Sequence, residues 1–300
     1  MSTQINYTLT GQQERGQVSQ YHHKPSPLDK SKGGGNRDVA GLKAVDKRNA
    51  LILANGQQFD SRFTIGFEVE KNLLSRGAVR EYELFCGFER DGSCGFEAVT
   101  HILPLLPAST WRNKVFDMMH KAEKIIDDRF SPSDTRCGGH ITIGVSGYDG
   151  EEIRERVRKN AGIIYALFRN RIKNTYCGHN QTMESGSGSE RHVGGYHWKY
   201  QLALVKGKVL EFRLPSKFES VKQMMRRYEL FYEVVNFSIN NPNGSHDALL
   251  KKLQPIVLSM YEGNTAKCDE IMSLAKHFRA FILKRVVHES IARYVSETNL

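Results

Sequence analysis

The sequence has 300 residues, with 43 Lys and Arg against 33 Asp and Glu and a formal net charge of +10. Hydrophobic residues make up 39% and charged residues 25%, which excludes a disordered or fibrous protein. No window reaches the ~18 unbroken apolar residues that a membrane span needs, and the first residues lack the apolar core of a signal peptide. Five cysteines, an odd number, do not indicate a disulfide framework. We therefore expect a cytoplasmic protein without a membrane partner.

The chain is predicted to have three parts. Residues 1–40 are polar and contain the run Gly33-Gly34-Gly35, which is typical of a flexible N-terminal arm. The main folded domain is expected over residues 41–240, with the helices of residues 241–300 packed on the same domain. Strand patterns fill the first two thirds of the chain and helical patterns the rest, which predicts an α+β fold with an antiparallel-rich sheet.

Alternating or β-branched segments predict the strands in chain order. Residues 51–54 are apolar and precede Asn55-Gly56, a strong hairpin turn. Residues 62–70 alternate so that Glu68 and Glu70 share one face of a strand and the large apolar side chains share the other. Further strands are predicted at residues 95–100, 140–145, 200–205 and 208–214.

Apolar residues at helical spacing predict helices over residues 111–128, 150–174, 219–240, 246–261 and 266–297. The Gly-, Ser- and His-rich residues 177–197 predict a long loop, of the length that often forms a lid over a site. An aromatic set at helical spacing favours a core role over a base-stacking platform: Tyr228, Phe231, Tyr232 and Phe237.

Glu68 and Glu70 are the sharpest chemical feature of the sequence. Two carboxylates on one strand face repel each other unless a cation lies between them, and Mg²⁺ prefers carboxylate oxygens. Charged groups are rarely buried unpaired, yet others also lie on apolar strands: Glu97, His140, Glu211 and Arg213. These residues predict that the polar faces of one curved sheet converge on metal ions and phosphates.

A series of short motifs connects these strands over roughly residues 62–240. In order they are IGFEVE, DGSCGFEAVTHILPL, CGGHITIGV, RNRIKNTYCG and KVLEFRLP. The series resembles the amidoligase family, the branch of glutamine-synthetase-like carboxylate–amine ligases common in phages and mobile elements. The resemblance implies a curved antiparallel sheet of that fold and ATP-dependent formation of an amide or isopeptide bond through an acyl phosphate. ATP and Mg²⁺ or Mn²⁺ are the implied cofactors. The implied substrates are a carboxylate and an amine, which could belong to a peptide or protein.

The resemblance also implies roles for particular residues. The implied metal ligands are Glu68, Glu70, Glu97, His140 and Glu211, with His140 also counted among the catalytic residues. Arg213 is the implied phosphate clamp and Arg171 the implied helix arginine, although Arg169 lies two residues away. Asp91 and Ser93 match a D-x-S turn. From the loop, His197 and Lys199 are expected to help bind ATP.

The sequence departs from the family pattern at two places. Thr142 replaces a second histidine, so that His140 acts alone or a loop histidine, His192 or His197, reaches the site. Only Cys94 separates the D-x-S turn from the G-x-E segment, which puts the assignment of Asp91 in question more than that of Glu97.

Two rival interpretations come from the same residues. A tetrahedral zinc site could be built from Cys137, His140, Cys177 and His179, but it would leave the strand glutamates unexplained. The net charge suggests a nucleic-acid-binding protein, although basic residues on amphipathic helices usually form a solvated face. The basic residues concerned are Lys222, Arg226, Arg227, Lys251, Lys252, Lys276, Arg279, Lys284, Arg285 and Arg293. The sequence leaves the oligomeric state open.

Overall fold

The computed structural model describes residues 26–27, 42–45, 51–53, 58–59, 63–91, 94–100, 103–172, 203–206 and 209–283. Most of the predicted arm and the whole of the predicted loop at residues 177–197 lie outside these ranges. The fold is mixed α/β and contains a curved antiparallel sheet, as the sequence predicts.

The chain divides into two compact units. The first comprises Met1–Gly150, Lys206–Val209 and Lys217–Met225. The second comprises Glu151–Val205, Leu210–Ser216 and Arg226–Leu300. The domain boundaries expected after residues 40 and 240 stay predictions.

The first unit is built on antiparallel strands. Its main sheet has the order β1-β6-β7-β5-β9, and β8 also pairs with β5. A separate small sheet has the order β2-β3-β4. The turn predicted at Asn55-Gly56 lies outside the described residues. The strands are β1 (Ser26–Pro27), β2 (Leu42–Val45), β3 (Leu51–Leu53), β4 (Gln58–Phe59), β5 (Phe63–Lys71), β6 (Phe85–Asp91), β7 (Gly95–Thr100), β8 (Leu103–Pro104) and β9 (Ile141–Val145).

Strand β5 is buried over its whole length. The prediction correctly placed its apolar side chains, such as Phe67 and Val69, in the core. It did not anticipate that the polar face would be equally buried, because alternation by itself predicts a strand with one solvated face. Burial of both faces is what places the β5 carboxylates away from bulk water.

Three helices lie wholly within the described part of the first unit: α1 (Arg76–Arg80), α2 (Thr110–Lys121) and α3 (Glu123–Ile126). The helix predicted over residues 111–128 is thus divided at Ala122. Helix α2 begins after Ser109, whose hydroxyl accepts a hydrogen bond from the Arg112 N–H at 3.2 Å.

The second unit is mainly helical. Most residues of the remaining elements belong to it, except Gly150, Lys206, Val209 and residues 221–225, which belong to the first unit. These elements are α4 (Gly150–Arg158), α5 (Gly162–Leu167), a 3₁₀ turn (Arg169–Arg171), β10 (Ala203–Lys206), β11 (Val209–Phe212), α6 (Val221–Asn240), α7 (His246–Met260) and α8 (Thr265–Leu283). The helix predicted over residues 150–174 is therefore interrupted. After the interruption Gly162 lies so close to α8 that a Cβ atom there would be 2.3 Å from the Ala275 carbonyl oxygen.

Helix α6 supplies aromatic side chains to the core of the second unit. Tyr228 and Phe231 are inaccessible to solvent and Phe237 is 4% exposed. The rings of Phe231 and Phe212 meet edge to face, with centroids 5.0 Å apart. The interpretation of these aromatics as core is confirmed for the three. Among the helices in the described ranges, none combines the length and the apolar composition of a membrane span.

Candidate metal centre

A histidine between two buried glutamates forms the centre of the candidate site in the first unit. Nδ1 of His140 lies 2.6 Å from Oε2 of Glu68, and its Nε2 lies 3.5 Å from Oε1 of Glu70. The three residues are only 4–6% exposed. Both ring nitrogens of His140 therefore face carboxylate oxygens in an environment with little water.

Backbone hydrogen bonds hold these side chains in place. The Glu68 N–H donates to the His140 carbonyl at 3.1 Å, which ties the residue before β9 to the middle of β5. The Gly138 N–H donates to Oε2 of Glu70 at 2.5 Å. Because both glutamates and the histidine are fixed through the backbone, the arrangement is built into the sheet.

The strand register adds a row of carboxylates beside this histidine. Glu70 on β5 is directly opposite Glu97 on β7, and Glu97 is directly opposite Glu89 on β6. Directly opposed side chains on antiparallel strands have Cβ atoms about 4.5–5.5 Å apart, and like charges there destabilise the sheet. Three neighbouring strands therefore gather negative charge along one line.

Glu89 is absent from the predicted site because strand β6 was not predicted. A signal for it exists in the sequence: Glu89 and Glu97 are equidistant from residue 93, in the turn that follows Asp91. A hairpin centred on that turn would have brought the two glutamates opposite each other. The side chain of Asp91 lies outside the described residues, as does Ser93, so the role of the D-x-S turn stays a prediction.

The chemistry of these donors fits a hard divalent cation. Buried carboxylates cost free energy through desolvation and mutual repulsion, and a bound cation would reduce both costs. Carboxylate oxygens suit Mg²⁺, and an added imidazole nitrogen is also compatible with Mn²⁺. The residues present therefore fit the predicted cation.

A hydrogen-bonded cluster packs beside the Glu70 end of β5. The Cys137 thiol donates to Oδ1 of Asn72 at 3.2 Å, and the Asn72 side-chain amide donates to Asp134 at 3.2 Å. A hydrogen bond from the Cys94 thiol lowers the pKa of Cys137. Gly95 has φ +111°, and a Cβ atom there would be 2.7 Å from the Asn72 carbonyl oxygen. This contact requires glycine where β7 begins.

The zinc interpretation receives no support from the two of its residues that are described. His140 faces Glu68 and Glu70, whereas the thiol of Cys137 is hydrogen-bonded to Asn72. The other two proposed ligands, Cys177 and His179, lie outside the described residues.

The remaining predicted carboxylate belongs to the second unit. Glu211 on β11 is inaccessible to solvent, and its Oε1 accepts a hydrogen bond from Nη1 of Arg213 at 2.6 Å. A buried, charge-assisted pair of this kind holds the Arg213 guanidinium in one orientation. The contribution of Glu211 to the metal centre stays a prediction.

The 3₁₀ turn at Arg169–Arg171 carries both candidate helix arginines, and both are buried. Arg169 donates to Glu270 at 2.8 Å and to the Ala166 carbonyl at 3.0 Å, which gives it a structural role. The role of Arg171 as a phosphate ligand stays a prediction.

The loop residues expected to reach the site lie outside the described residues: His192, His197 and Lys199. Their predicted roles are untested.

Several of the basic residues behind the nucleic-acid interpretation are used within the fold. Arg226 pairs with Glu229, Lys276 lies 2.9 Å from Asp247, and Arg279 donates to a backbone carbonyl at 3.1 Å. Arg227 is 1% exposed. Lys284, Arg285 and Arg293 lie outside the described residues.

No family model matches the chain, and no curated protein matches it significantly. The resemblance to amidoligases therefore stays an inference from the order and spacing of short motifs.

Proposed function

We propose that this protein is an ATP-dependent carboxylate–amine ligase of glutamine-synthetase-like fold, which forms an amide or isopeptide bond through an acyl phosphate. The observation that carries the proposal is the buried histidine between Glu68 and Glu70, beside the opposed carboxylates of Glu97 and Glu89. This concentration of negative charge, buried at Glu68, Glu70 and Glu97, suits a site for the divalent cations that phosphoryl-transfer enzymes use with ATP.

The metal ligands in this proposal are Glu68, Glu70, Glu97 and His140, with Glu89 added by its register and Glu211 by the family resemblance. When bound, the cations would neutralise phosphate charge and polarise the oxygens of the transferring group. His140 and the Gly138 amide hold the two β5 carboxylates in fixed orientations, so that a cation would meet prearranged ligands.

The two arginines supply the other half of the chemistry. Arg213 and Arg171 bind the oxygens of the transferring phosphoryl group, because a guanidinium offers paired donors that match phosphate geometry. The terminal phosphoryl group passes from ATP to the carboxylate oxygen and ADP leaves. The amine nitrogen then attacks the acyl carbon, phosphate leaves, and the nitrogen loses a proton. Limited access of water protects the acyl phosphate from hydrolysis.

Phosphate release from MgATP, measured with a panel of acids and amines, tests the proposal. We expect Glu68→Gln and Arg213→Ala to reduce phosphate release by at least about 100-fold. The first removes the charge of a proposed metal ligand, and the second removes a proposed phosphate-binding guanidinium. Glu83→Gln changes an exposed carboxylate in the first unit and should behave like the parent. Parental rates in both site variants would show that these residues are not an active site.

The same preparation separates the ligase from the nucleic-acid-binding alternative. A ligase should hydrolyse or transfer phosphate from ATP and should bind DNA weakly. Tight DNA binding that falls steeply with salt, together with no turnover of ATP, would contradict the proposal and favour the alternative.

A further inference from the structure

Arg227 on helix α6 is one of the largest fully buried side chains among the described residues, at 1% exposure. Its guanidinium lies over the ring of Phe168, 5.0 Å from the centroid. Its Nη2 donates to the Ser216 hydroxyl at 2.9 Å, and its Nη1 donates to the Ser216 carbonyl. The buried guanidinium thus contacts two segments that are distant in sequence.

Each of those segments carries an arginine that the proposed function assigns to phosphate. Phe168 immediately precedes the 3₁₀ turn that contains Arg171. Ser216 follows Arg213 by three residues, just beyond β11 with its buried Glu211. All of these residues belong to the second unit, so the contacts of Arg227 lie within one compact body.

Burial of the Arg227 guanidinium costs free energy through desolvation of its charge. Its neighbours on α6, Tyr228 and Phe231, are inaccessible to solvent, and a buried guanidinium is stable only when well paired. An apolar side chain could occupy such a position. What an apolar residue could not do is stack on Phe168 and donate to both acceptors of Ser216, and a lysine lacks the planar fork for this geometry.

We propose that Arg227 is a positioning residue for the nucleotide phosphates: it fixes the segments that carry Arg171 and Arg213 without touching the nucleotide. This inference rests on the proposed ligase function. Enzymes that bind transferring phosphate need their donors placed accurately, and a misplacement of about 1 Å can cost roughly 100-fold in rate.

The test compares MgATP affinity by isothermal titration calorimetry with thermal stability for a set of variants. Arg227→Met should weaken MgATP binding about tenfold or more, Arg227→Lys should weaken it less, and Ser216→Ala should weaken it a few-fold. Arg226→Met is the matched control, because Arg226 is the preceding residue of α6 and pairs with Glu229. It should bind MgATP like the parent.

A double-mutant cycle separates positioning from general stability. If Arg227 acts through Arg171 and Arg213, adding Arg227→Met to the variant Arg171→Ala/Arg213→Ala should leave its MgATP affinity about unchanged. A purely structural residue would lower the melting temperature but leave the affinity of the folded protein unchanged. If Arg227→Met does not fold, Arg227→Lys and Ser216→Ala supply the same comparison.

The outcomes distinguish the inference from the function on which it rests. Parental MgATP affinity in folded Arg227→Met and Ser216→Ala, with a loss in Arg213→Ala, would overturn the positioning role alone. Independent, additive losses in the cycle would also overturn it. A parent protein that does not bind MgATP would refute the proposed function, and the positioning role with it.

Discussion

Strand β5 buries charged side chains on both of its faces, and the two faces differ in how the charge is balanced. On one face, the ammonium of Lys71 donates to Asp128 at 2.6 Å and to the Phe218 carbonyl at 2.8 Å. Lys217 donates to the other oxygen of Asp128 at 2.5 Å. On the opposite face, Glu70 begins a row of three opposed carboxylates.

The difference indicates two roles for buried charge. Desolvation lowers the pKa of Lys71, and the hydrogen bond and ion pair with Asp128 oppose that shift, so the lysine is matched by protein groups. Its contacts join β5 to the segments around residues 128 and 218, which is a structural task. The carboxylate row places three groups of one sign opposite one another, an arrangement that a divalent cation would stabilise. The first arrangement stabilises the fold, and the second is suited to binding.

The largest loss of stability is expected when the hydrogen bonds and ion pair of Lys71 are removed. Lys71→Met removes the cation from a buried pair and leaves the Phe218 carbonyl without this donor. We expect a loss of about 3 kcal/mol in the free energy of unfolding, since breaking a buried pair leaves uncompensated polar groups. Urea denaturation followed by circular dichroism measures the loss.

The control for Lys71→Met is Lys121→Met, which removes a cation from an exposed pair with Asp117. Solvent screens an exposed pair of this kind, so Lys121→Met should unfold much like the parent. Equal and small losses in the two variants would contradict the structural role of Lys71.

A buried histidine in the second unit, His246, differs from Lys71 in its hydrogen bonding. Lys71 donates to two acceptors, whereas Nε2 of His246 has none among the described residues. His246 is 5% exposed. Burial, helped by the nearby Arg279, lowers the pKa of His246 to about 4 from 6.5. Between these values the unfolded chain takes up a proton that the folded protein does not. Stability should therefore decrease as the pH falls from about 6.5 to 4, by about 2 kcal/mol after allowance for solvent screening.

Unfolding free energies measured at pH 7 and pH 5 test this prediction. His246→Phe should lose the part of the pH dependence due to this ring, whereas His277→Asn, which changes an exposed histidine on α8, should follow the parent. An unchanged pH dependence in His246→Phe would show that the ring is not held neutral by the fold.

Much of the fold was predictable because its patterns are local. Strand β7 was predicted with its observed bounds, and the starts of α6, α7 and α8 lie within two residues of the predicted starts. Strand β6 was missed because the segment Phe85–Asp91 contains a glycine and ends in three charged residues, and does not alternate cleanly. Its place in the sheet depends on pairing with β7, which is a tertiary effect.

The candidate site shows the same division between local pattern and tertiary pairing. The identity of Glu68, Glu70 and His140 as a group came from strand alternation and motif order. The position of His140 between the two carboxylates depends on the register of β9 against β5, which no local pattern specifies. The position of Glu89 opposite Glu97 and the hydrogen bonds from Arg227 to Ser216 join segments that are distant in sequence. Residue spacing could not predict either of them.

The smallest effect, and the sharpest test of the contrast between the two faces of β5, comes from the carboxylate row. Glu97 is opposed by a glutamate on each side, so Glu97→Gln removes like-charge repulsion from both neighbours. Without divalent cation we expect the free energy of unfolding to rise by about 0.5 kcal/mol. With Mn²⁺ at one hundred times the parent dissociation constant, the parent should gain about 2.7 kcal/mol. A variant that binds tenfold more weakly should gain only about 1.4 kcal/mol.

A cation site predicts both results for Glu97→Gln: higher stability without metal and a smaller gain in stability with Mn²⁺. A structural carboxylate predicts neither result. If Glu97 were a structural group, like Lys71, its replacement would lower stability in the absence of metal and leave the gain with Mn²⁺ unchanged. Glu83→Gln, at an exposed position, should match the parent in both measurements. Destabilisation of Glu97→Gln without metal, combined with a parental gain on adding Mn²⁺, would place this face of β5 in the same structural class as the Lys71 face, because its charge would then be balanced within the protein.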